Sequence, residues 1–235
     1  MPICGVSAEM SESGWADNTK HEISFWEGVI RKSAAAGDQR PKPRPVDFAW
    51  LRAIIQPTPP PDERIRVLDV GCGPFSGLGV LSPGNPGEVV LTDALGDAYN
   101  RLLDEYGFTD FPRVRAIAGE ELSAALGINA FHMVHCGNAL DHFADPGRAF
   151  LEMVAVCKPG GLVRIISIEN EGERENYQGL HQWNLKADDD GLWLSSKTSR
   201  TNLTKSCGDV GKYEWNYLHR NPARMVFVAD IRKKS

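Results

Sequence analysis

The residues that could do chemistry begin with a carboxylate and two glycines that follow an apolar run. Leu68 and Asp69 lead directly into Gly71 and Gly73. Glycines let backbone N–H groups approach a ligand that a Cβ would keep away, and the strand before them fixes the position of the loop. A second apolar run ends at Asp93, where a carboxylate could hold the two hydroxyls of a ribose. The spacing predicts a nucleoside-sized site at the ends of two strands.

The charge beside the glycine loop favours one kind of adenosine cofactor over another. A loose glycine pattern with a downstream acid is shared by dinucleotide sites and by sites for other adenosine cofactors. A dinucleotide site favours an uncharged strand end and a third glycine, because the pyrophosphate rests on the helix N-terminus. Here Ser76 takes the third glycine position, and Asp69 adds a negative charge. That charge would repel a pyrophosphate and suits a cationic ligand with an amino acid tail.

From Ile65 to Ile168 the sequence resembles the class I S-adenosylmethionine-dependent methyltransferases, whose first motif usually reads acid-x-Gly-x-Gly-x-Gly. Asp69 and the two glycines match this motif, and Phe75 replaces its last glycine. The resemblance implies that S-adenosyl-L-methionine is the cofactor and S-adenosyl-L-homocysteine the product. Carried over position by position, it implies cofactor contacts by Asp69, Gly71, Cys72, Gly73, Pro74, Asp93, Ala94, Gly119, Glu120, Cys136, Gly137 and Asn138.

Later motifs follow in the order that the family has. The segment 118–122 is similar to the loop that passes the adenine, with Ala118 in place of a common acid. The segment 131–142 resembles the fourth strand and its loop, with His132 in place of a common aspartate, and 158–162 resembles the turn before the fifth strand. The implied fold is Rossmann-like α/β: a mainly parallel seven-stranded sheet with an antiparallel C-terminal strand at 224–230 and helices on both faces.

Candidate residues for the methyl acceptor lie outside these motifs. Asp141 and His142 follow the predicted fourth strand, and His181, Trp183 and Asn184 lie in a polar segment after the fifth. The carboxyl ends of parallel strands open onto the ligand crevice, so we expect this segment to bind the acceptor. His142, His181 or Asp141 is the candidate catalytic base. The alternative is a solvated connector in which Trp183 only anchors the chain.

The elements around these residues predict two parts. The first, 1–61, combines a helix at 20–32 with a proline-rich linker, and we expect the helix to cover the cofactor cleft with Trp26 against the substrate. The second, 62–235, is the methyltransferase domain, with a substrate-recognition insertion at about 169–218.

Composition narrows the partners. The chain has 235 residues, 42% of them hydrophobic, which is enough for one substantial core. A net charge of −5 provides no basic field for a nucleic acid. We expect a cytoplasmic monomer or homodimer with a small-molecule acceptor and no membrane partner, because signal-peptide and membrane-span patterns are absent. The cysteines form no C-x-x-C pair, so neither zinc nor a disulfide framework is predicted; they are Cys4, Cys72, Cys136, Cys157 and Cys207.

The sequence therefore predicts a methyltransferase that acts on an oxygen or nitrogen atom of a small molecule, such as a sugar or a natural-product intermediate, without a metal. Two other classes stay open. One is an S-adenosylmethionine-binding protein without methyl transfer, suggested by the departures at Phe75, Ala118 and His132. The other is an NAD(P)-dependent oxidoreductase, disfavoured by Asp69 and Ser76.

Overall fold

The computed structural model describes residues 12–37, 48–55, 58–78, 87–206, 208, 210–221 and 223–234. Several predictions lie outside these ranges. They concern the proline-rich linker segment 41–45 with Pro57, the cysteines Cys4 and Cys207, and residues 1–11 of the predicted first part, 1–61.

Two helices and two strands come first, and from the second strand to the fifth the described strands and helices alternate. The helices are α1 Glu12–Ala34, α2 Phe48–Ile54, α3 Gly96–Glu105, α4 Leu122–Leu126, α5 Pro146–Val156, α6 Glu171–Arg174 and α7 Leu203–Ser206. The strands are β1 Ile65–Val70, β2 Gly87–Asp93, β3 Arg115–Ala116, β4 Phe131–Gly137, β5 Cys157–Ile168, β6 Asn184–Asp188, β7 Gly191–Ser195, β8 Arg200–Asn202, β9 Gly211–Asn221 and β10 Arg224–Lys233. Short 3-10 helices occupy Gly119–Glu121 and Leu140–His142.

Seven strands form the main sheet in the order β3-β2-β1-β4-β5-β10-β9. Strands β3, β2, β1, β4 and β5 are parallel, and β10 runs antiparallel to both β5 and β9. The strand order reverses between β1 and β4, which is where open α/β sheets bind ligands. The predicted mainly parallel seven-stranded sheet with an antiparallel last strand is confirmed.

The alternation of apolar side chains along β1 explains why helices cover both faces of the sheet. Leu68 and Val70 belong to a core that includes Phe150 of α5, whereas Ile65 and Val67 pack with α2 on the other face. Successive side chains of a strand point to opposite faces, so a strand that is apolar at both parities must be covered twice. Helix α5 has Asp145 as its N-cap, which accepts a hydrogen bond from the Arg148 amide at 2.9 Å, and Pro146 as its first residue.

The sequence prediction for the segment before the fifth strand needs a correction. The residues 158–161, expected as a turn, belong to β5, which begins at Cys157. There the pairing register between β4 and β5 shifts, because Phe131 pairs with Cys157 but Met133 pairs with Leu162. Gly160 and Gly161 therefore lie at an irregularity inside the strand.

The predicted insertion at 169–218 contains a second, three-stranded sheet in the order β6-β7-β8. Its Leu185, Leu192 and Leu194 join the same hydrophobic core as the main sheet. The last part of the predicted insertion, with Trp215 and Tyr217, lies instead on β9 at the edge of the main sheet. Among the described helices, none is long and apolar enough to cross a membrane.

Candidate active site

The loop after β1 is shaped by neighbours that come very close to its glycines. Gly71 and Gly73 have φ angles of +64° and +60°, a region that L side chains rarely adopt. A Cβ on Gly71 would lie 2.6 Å from the Cβ of Ala139, and one on Gly73 would lie 3.3 Å from the Trp26 ring. The two positions require glycine because protein segments, as well as any ligand, approach the backbone here.

Asp69 organises this loop from below and does not line the cleft. Its carboxylate is buried, accepts a hydrogen bond from the Ser76 hydroxyl at 2.6 Å, and lies 2.7 Å from Nδ1 of His135. Because this carboxylate is buried and both oxygens contact protein groups, Asp69 holds the loop in this structure, and its predicted direct cofactor contact stays a prediction.

Asp93 ends β2 and does line the cleft. One carboxylate oxygen accepts a hydrogen bond from the Gly73 amide at 3.1 Å, and the other accepts from the Leu95 amide at 2.9 Å. A carboxylate has about four acceptor positions, so each oxygen keeps one for a ligand hydroxyl. Burial raises the pKa of Asp93, although the two amide hydrogen bonds act in the opposite direction.

These residues open into one cleft of about 1090 Å³ at the reversal of strand order. A volume of this size is at the upper end of ordinary ligand pockets, so it suits a cofactor together with a second molecule. Of the other predicted cofactor residues, the cleft is lined by Gly71, Cys72, Gly73, Ala94, Gly119, Glu120, Gly137 and Asn138.

Pro74 and Cys136 are not among the residues that line the cleft, and the cofactor contacts predicted for them stay predictions. Cys136 is fully buried in the core under the sheet, and burial is the main cause that raises the pKa of its thiol. Burial also raises the pKa of Cys72, so both thiols stay protonated and unreactive at neutral pH.

The three candidate bases come together from two distant segments. Asp141 and His142 lie in the 3-10 helix after β4, and His181 lies in the segment after β5. Nδ1 of His181 is 2.9 Å from Oδ2 of Asp141 and 3.0 Å from Nε2 of His142, which is itself 3.4 Å from Oδ2 of Asp141. We call these three residues the histidine cluster; both of its histidines line the cleft.

Glu171, which the sequence analysis missed, lies in the same wall of the cleft. Burial raises the pKa of Glu171, and the charge of Asp141 adds to the effect. Burial would lower the pKa of His181, but the hydrogen bond and charge of Asp141, together with Glu171, outweigh it and raise that pKa. The wall therefore concentrates negative charge in a place with little water.

Trp183 and Asn184, predicted to bind the acceptor, lie behind this wall and not in it. Trp183 is 1% exposed and belongs to the main hydrophobic core. The Asn184 side chain accepts a hydrogen bond from the Glu173 amide and donates one to the Tyr177 hydroxyl. Both residues hold the 171–181 segment in place. For Trp183 this is the alternative in which the side chain only anchors the chain. For Asn184 it corrects the predicted contact with the acceptor.

Helix α1 covers the cleft. Its Trp15 indole donates a hydrogen bond to the His142 carbonyl at 3.1 Å, and its Asn18 amide donates one to the Gly179 carbonyl at 2.9 Å. Trp26 lies over Gly73, and Ile30 anchors the helix in a cluster with residues of α3. The helix thus spans the glycine loop, the histidine cluster and the segment after β5.

Several residues of the cleft carried no usable signal in the sequence. Glu171 is one of several acids in a polar stretch, and nothing in its spacing distinguishes it. The Phe143 ring lies between Gly71 and Gly119, and a Cβ on Gly119 would lie 2.4 Å from it. Phe75, which replaces the last glycine of the motif, packs edge-on against Phe108 and Phe111 and also lines the cleft.

The sheet order, the glycine loop after β1 and the acid after β2 define the class I methyltransferase fold. In agreement, residues 68–165 match the family model of the methyltransferase domain. The match covers about two-fifths of the chain, and it agrees with the resemblance to the class I S-adenosylmethionine-dependent methyltransferases that the sequence motifs carry.

Individual relatives agree with this assignment. The ubiquinone/menaquinone biosynthesis C-methyltransferase UbiE of Legionella pneumophila (strain Corby) is 32% identical over 126 residues, which are 52% of this chain and 49% of that protein. The chain spans about half the length of the curated relatives it matches.

Two solved structures share the fold. The CMeT domain of the citrinin polyketide synthase has a TM-score of 0.54 at 14% identity and covers 77% of this chain and 49% of its own. The second is phosphoethanolamine N-methyltransferase 2 of Haemonchus contortus, solved with phosphomonomethylethanolamine and S-adenosylhomocysteine. It has a TM-score of 0.51 at 16% identity, and the match covers 80% of this chain and 53% of that chain. At these identities the likeness concerns the fold alone.

Proposed function

We propose that the protein uses S-adenosyl-L-methionine to methylate an oxygen or nitrogen atom of a small molecule. The observation that carries this proposal is that Asp93 and the histidine cluster line one and the same cleft. One end of the cleft has the residues of an adenosine-cofactor site, and the other has polar side chains that the common methyltransferase core does not need.

The residues at the β1 and β2 ends fit the cofactor. Asp93 keeps an acceptor position on each oxygen for the ribose hydroxyls, and the amides of the loop at Gly71 and Gly73 would face the amino acid tail. Gly119, Glu120 and Phe143 line the cleft where the adenine would lie. The bound cofactor supplies an electrophilic methyl group: as the acceptor's lone pair bonds to the methyl carbon, the C–S bond breaks and its electron pair stays on sulfur.

The residues of this chain would orient the acceptor and exclude water from the cleft. The segment 171–181 and the 3-10 helix at 140–142 would hold the acceptor's polar groups, so that its nucleophile stays in line with the methyl group. Helix α1 covers the cleft and would exclude water. The basic role predicted for His142, His181 or Asp141 stays a prediction, and a second use of these residues is argued below.

A small-molecule acceptor agrees with the covered cleft and the negative net charge. The chain has a net charge of −5, and the residues that line the cleft include five acids, whereas Arg224 is the one arginine among them. Such a site gives no electrostatic attraction to a nucleic acid backbone. We propose a cytoplasmic enzyme, monomeric or homodimeric, with a small-molecule acceptor.

The cofactor assignment is tested by calorimetric titration of S-adenosylhomocysteine into the wild-type protein and Asp93→Ala. The substitution removes two charge-assisted hydrogen bonds, each worth about 1.5–3 kcal/mol in a protected site. We expect the affinity to fall by roughly 100-fold or more. Asp97→Ala, an exposed aspartate at the start of α3, is the matched control and should bind normally. Equal affinities in all three proteins would contradict the assignment.

The raised pKa of Asp93 adds a pH signature with two opposite signs. As the pH falls through this pKa, the carboxylate is protonated and the affinity for S-adenosylhomocysteine should decrease. The unliganded protein should respond the other way: between the ordinary aspartate pKa and the raised one, the folded state binds more protons than the unfolded state, so stability decreases as the pH rises. Asp93→Asn should remove both trends, as calorimetry and urea unfolding over that pH range can show.

Turnover is tested with methyl-deuterated cofactor and a panel of hydroxylated and amino small molecules, read by mass spectrometry. Transfer of the labelled methyl group to a panel member would support an enzyme. Tight cofactor binding without transfer to any of them would favour the S-adenosylmethionine-binding protein that the sequence leaves open.

A further inference from the structure

The histidine cluster has the distances of a metal site. The three atoms Oδ2 of Asp141, Nε2 of His142 and Nδ1 of His181 are separated by 2.9, 3.0 and 3.4 Å. Three ligand atoms at about 2.1 Å from one ion lie roughly 3.0 Å apart on an octahedral face and roughly 3.4 Å apart in a tetrahedron. The edges of the observed triangle are close to these values, so its distances are compatible with one ion bound to all three atoms.

Hydrogen atoms alone do not satisfy this triangle. Each imidazole nitrogen carries either one proton or one lone pair, and an ionised carboxylate only accepts. If only His181 Nδ1 is protonated, His142 Nε2 faces Asp141 with a lone pair. If only His142 Nε2 is protonated, the lone pair of His181 Nδ1 faces Asp141 Oδ2 at 2.9 Å. If both are protonated, two N–H groups face each other at 3.0 Å. A central cation removes the conflict in every contact.

Two buried carboxylate oxygens in the same wall have no hydrogen-bond partner among the described residues. They are Oδ1 of Asp141, whose side chain is 1% exposed, and Oε2 of Glu171, a residue that is 7% exposed. A buried carboxylate oxygen without a partner is costly, and two such acids repel each other. Glu171 interacts electrostatically with all three members of the histidine cluster. These oxygens are independent evidence that a positive group belongs in this wall.

We propose that Asp141, His142, His181 and Glu171 form a site for one divalent first-row transition-metal ion, in which the first three residues bind the ion and Glu171 adds negative charge beside it. Two imidazoles with carboxylates are the donors preferred by Mn²⁺, Fe²⁺, Co²⁺ and Zn²⁺, whereas Mg²⁺ and Ca²⁺ prefer oxygen ligands alone. Two histidines and one carboxylate on one face leave coordination positions open. This replaces the sequence-based expectation that no metal takes part.

The ion deepens the proposed function and rests on it for its purpose. The open coordination positions face the cleft, because both histidines and Glu171 line it. A hydroxyl or carboxylate oxygen of the acceptor could bind the ion there and be held beside the methyl group. The site thus favours an oxygen-bearing acceptor, with positioning by the ion and the fold.

The test uses the full chain without an affinity tag, freed of metal by a chelator. Co²⁺ is titrated in and followed by calorimetry and by its visible absorption, which reports nitrogen coordination and geometry. We expect one ion per chain, with Mg²⁺ as a competitor that fails to displace it. His142→Ala and His181→Ala should each weaken Co²⁺ binding by about 100-fold or more, and Glu171→Gln by about tenfold. The exposed His219 on β9 provides the control, and His219→Ala should bind Co²⁺ like the wild type.

Binding of S-adenosylhomocysteine is measured on the same samples, so that each variant's fold is checked and the two proposals fail separately. Normal cofactor binding without Co²⁺ binding in the wild type would overturn the metal site and leave the methyltransferase proposal intact. Co²⁺ binding that survives in His142→Ala and His181→Ala, or an affinity unchanged by Glu171→Gln, would also overturn the four-residue site. Co²⁺ binding without cofactor binding would instead contradict the proposed function alone.

Discussion

Two carboxylates, Asp69 and Asp93, hold the glycine loop after β1 in its observed shape. Asp69 fixes the glycine loop through Ser76, and Asp93 fixes it through the Gly73 amide. The loop is therefore tied to the ends of both β1 and β2. Its shape depends on backbone positions that only glycine fills easily, and a single methyl group should be enough to disturb it.

Gly71→Ala should lower stability far more than Gly77→Ala. A Cβ at Gly71 would lie 2.6 Å from Ala139 Cβ in a backbone conformation with φ of +64°, whereas at Gly77 no atom lies within 4 Å and φ is ordinary. The positive φ costs about 1–2 kcal/mol and the overlap about 1–3 kcal/mol more. Urea unfolding of the two variants measures the difference. Equal destabilisation would mean that the β4 loop does not press on Gly71.

Among the elements, helix α1 has contacts that join the two ends of the cleft. It touches the 3-10 helix through Trp15, the segment after β5 through Asn18 and the glycine loop through Trp26. Its anchor is Ile30, which is fully buried against α3. A helix held firmly at one end and by single hydrogen bonds at the other is suited to open and close over a ligand.

If α1 is a lid, Trp26→Ala should weaken binding of S-adenosylhomocysteine about tenfold or more while leaving a folded protein. The indole covers Gly73 and is only half buried, so its loss should cost the ligand more than the core. Trp50→Ala on α2, which packs on the other face of the sheet, is the matched control. Hydrogen exchange should show amides of α1 protected on ligand binding; unchanged exchange and affinity would make α1 a simple cover of the sheet.

The elements also show which parts of the site the sequence could predict. Asp93 was found because its partner Gly73 lies at a fixed spacing in the loop after the adjoining strand β1, so local pattern determines the contact. The contact between Asp141 and His181 depends on the path of the chain after β5. The sequence therefore predicted Asp141, His142 and His181 only as separate candidate bases and not as neighbours. Glu171 and Trp183 have ordinary sequence surroundings, and only tertiary packing places one in the cleft and the other in the core.

In the whole molecule, the second sheet belongs to the same core as the first. Trp183 and Leu194 pack in one hydrophobic cluster with Phe150 of α5 and Phe227 of β10. The segment 171–181 connects the main sheet to this second sheet and carries Glu171 and His181 into the cleft. Residues that stabilise the core and residues proposed to recognise the acceptor are thus neighbours in the same stretch of chain, and substitutions there should separate into two kinds.

His181→Ala and Trp183→Ala should differ in kind although they are two positions apart. His181 lies on the cleft wall, so its loss should keep the affinity for S-adenosylhomocysteine within a few-fold and strongly lower methyl transfer once an acceptor is found. Trp183 is 1% exposed, so its truncation leaves a cavity and should lower the free energy of unfolding by about 3–5 kcal/mol. Calorimetry, turnover and urea unfolding on both variants test the division. If His181→Ala lost cofactor affinity in proportion to activity, the segment would serve the cofactor, and the acceptor site would have to lie elsewhere in the cleft.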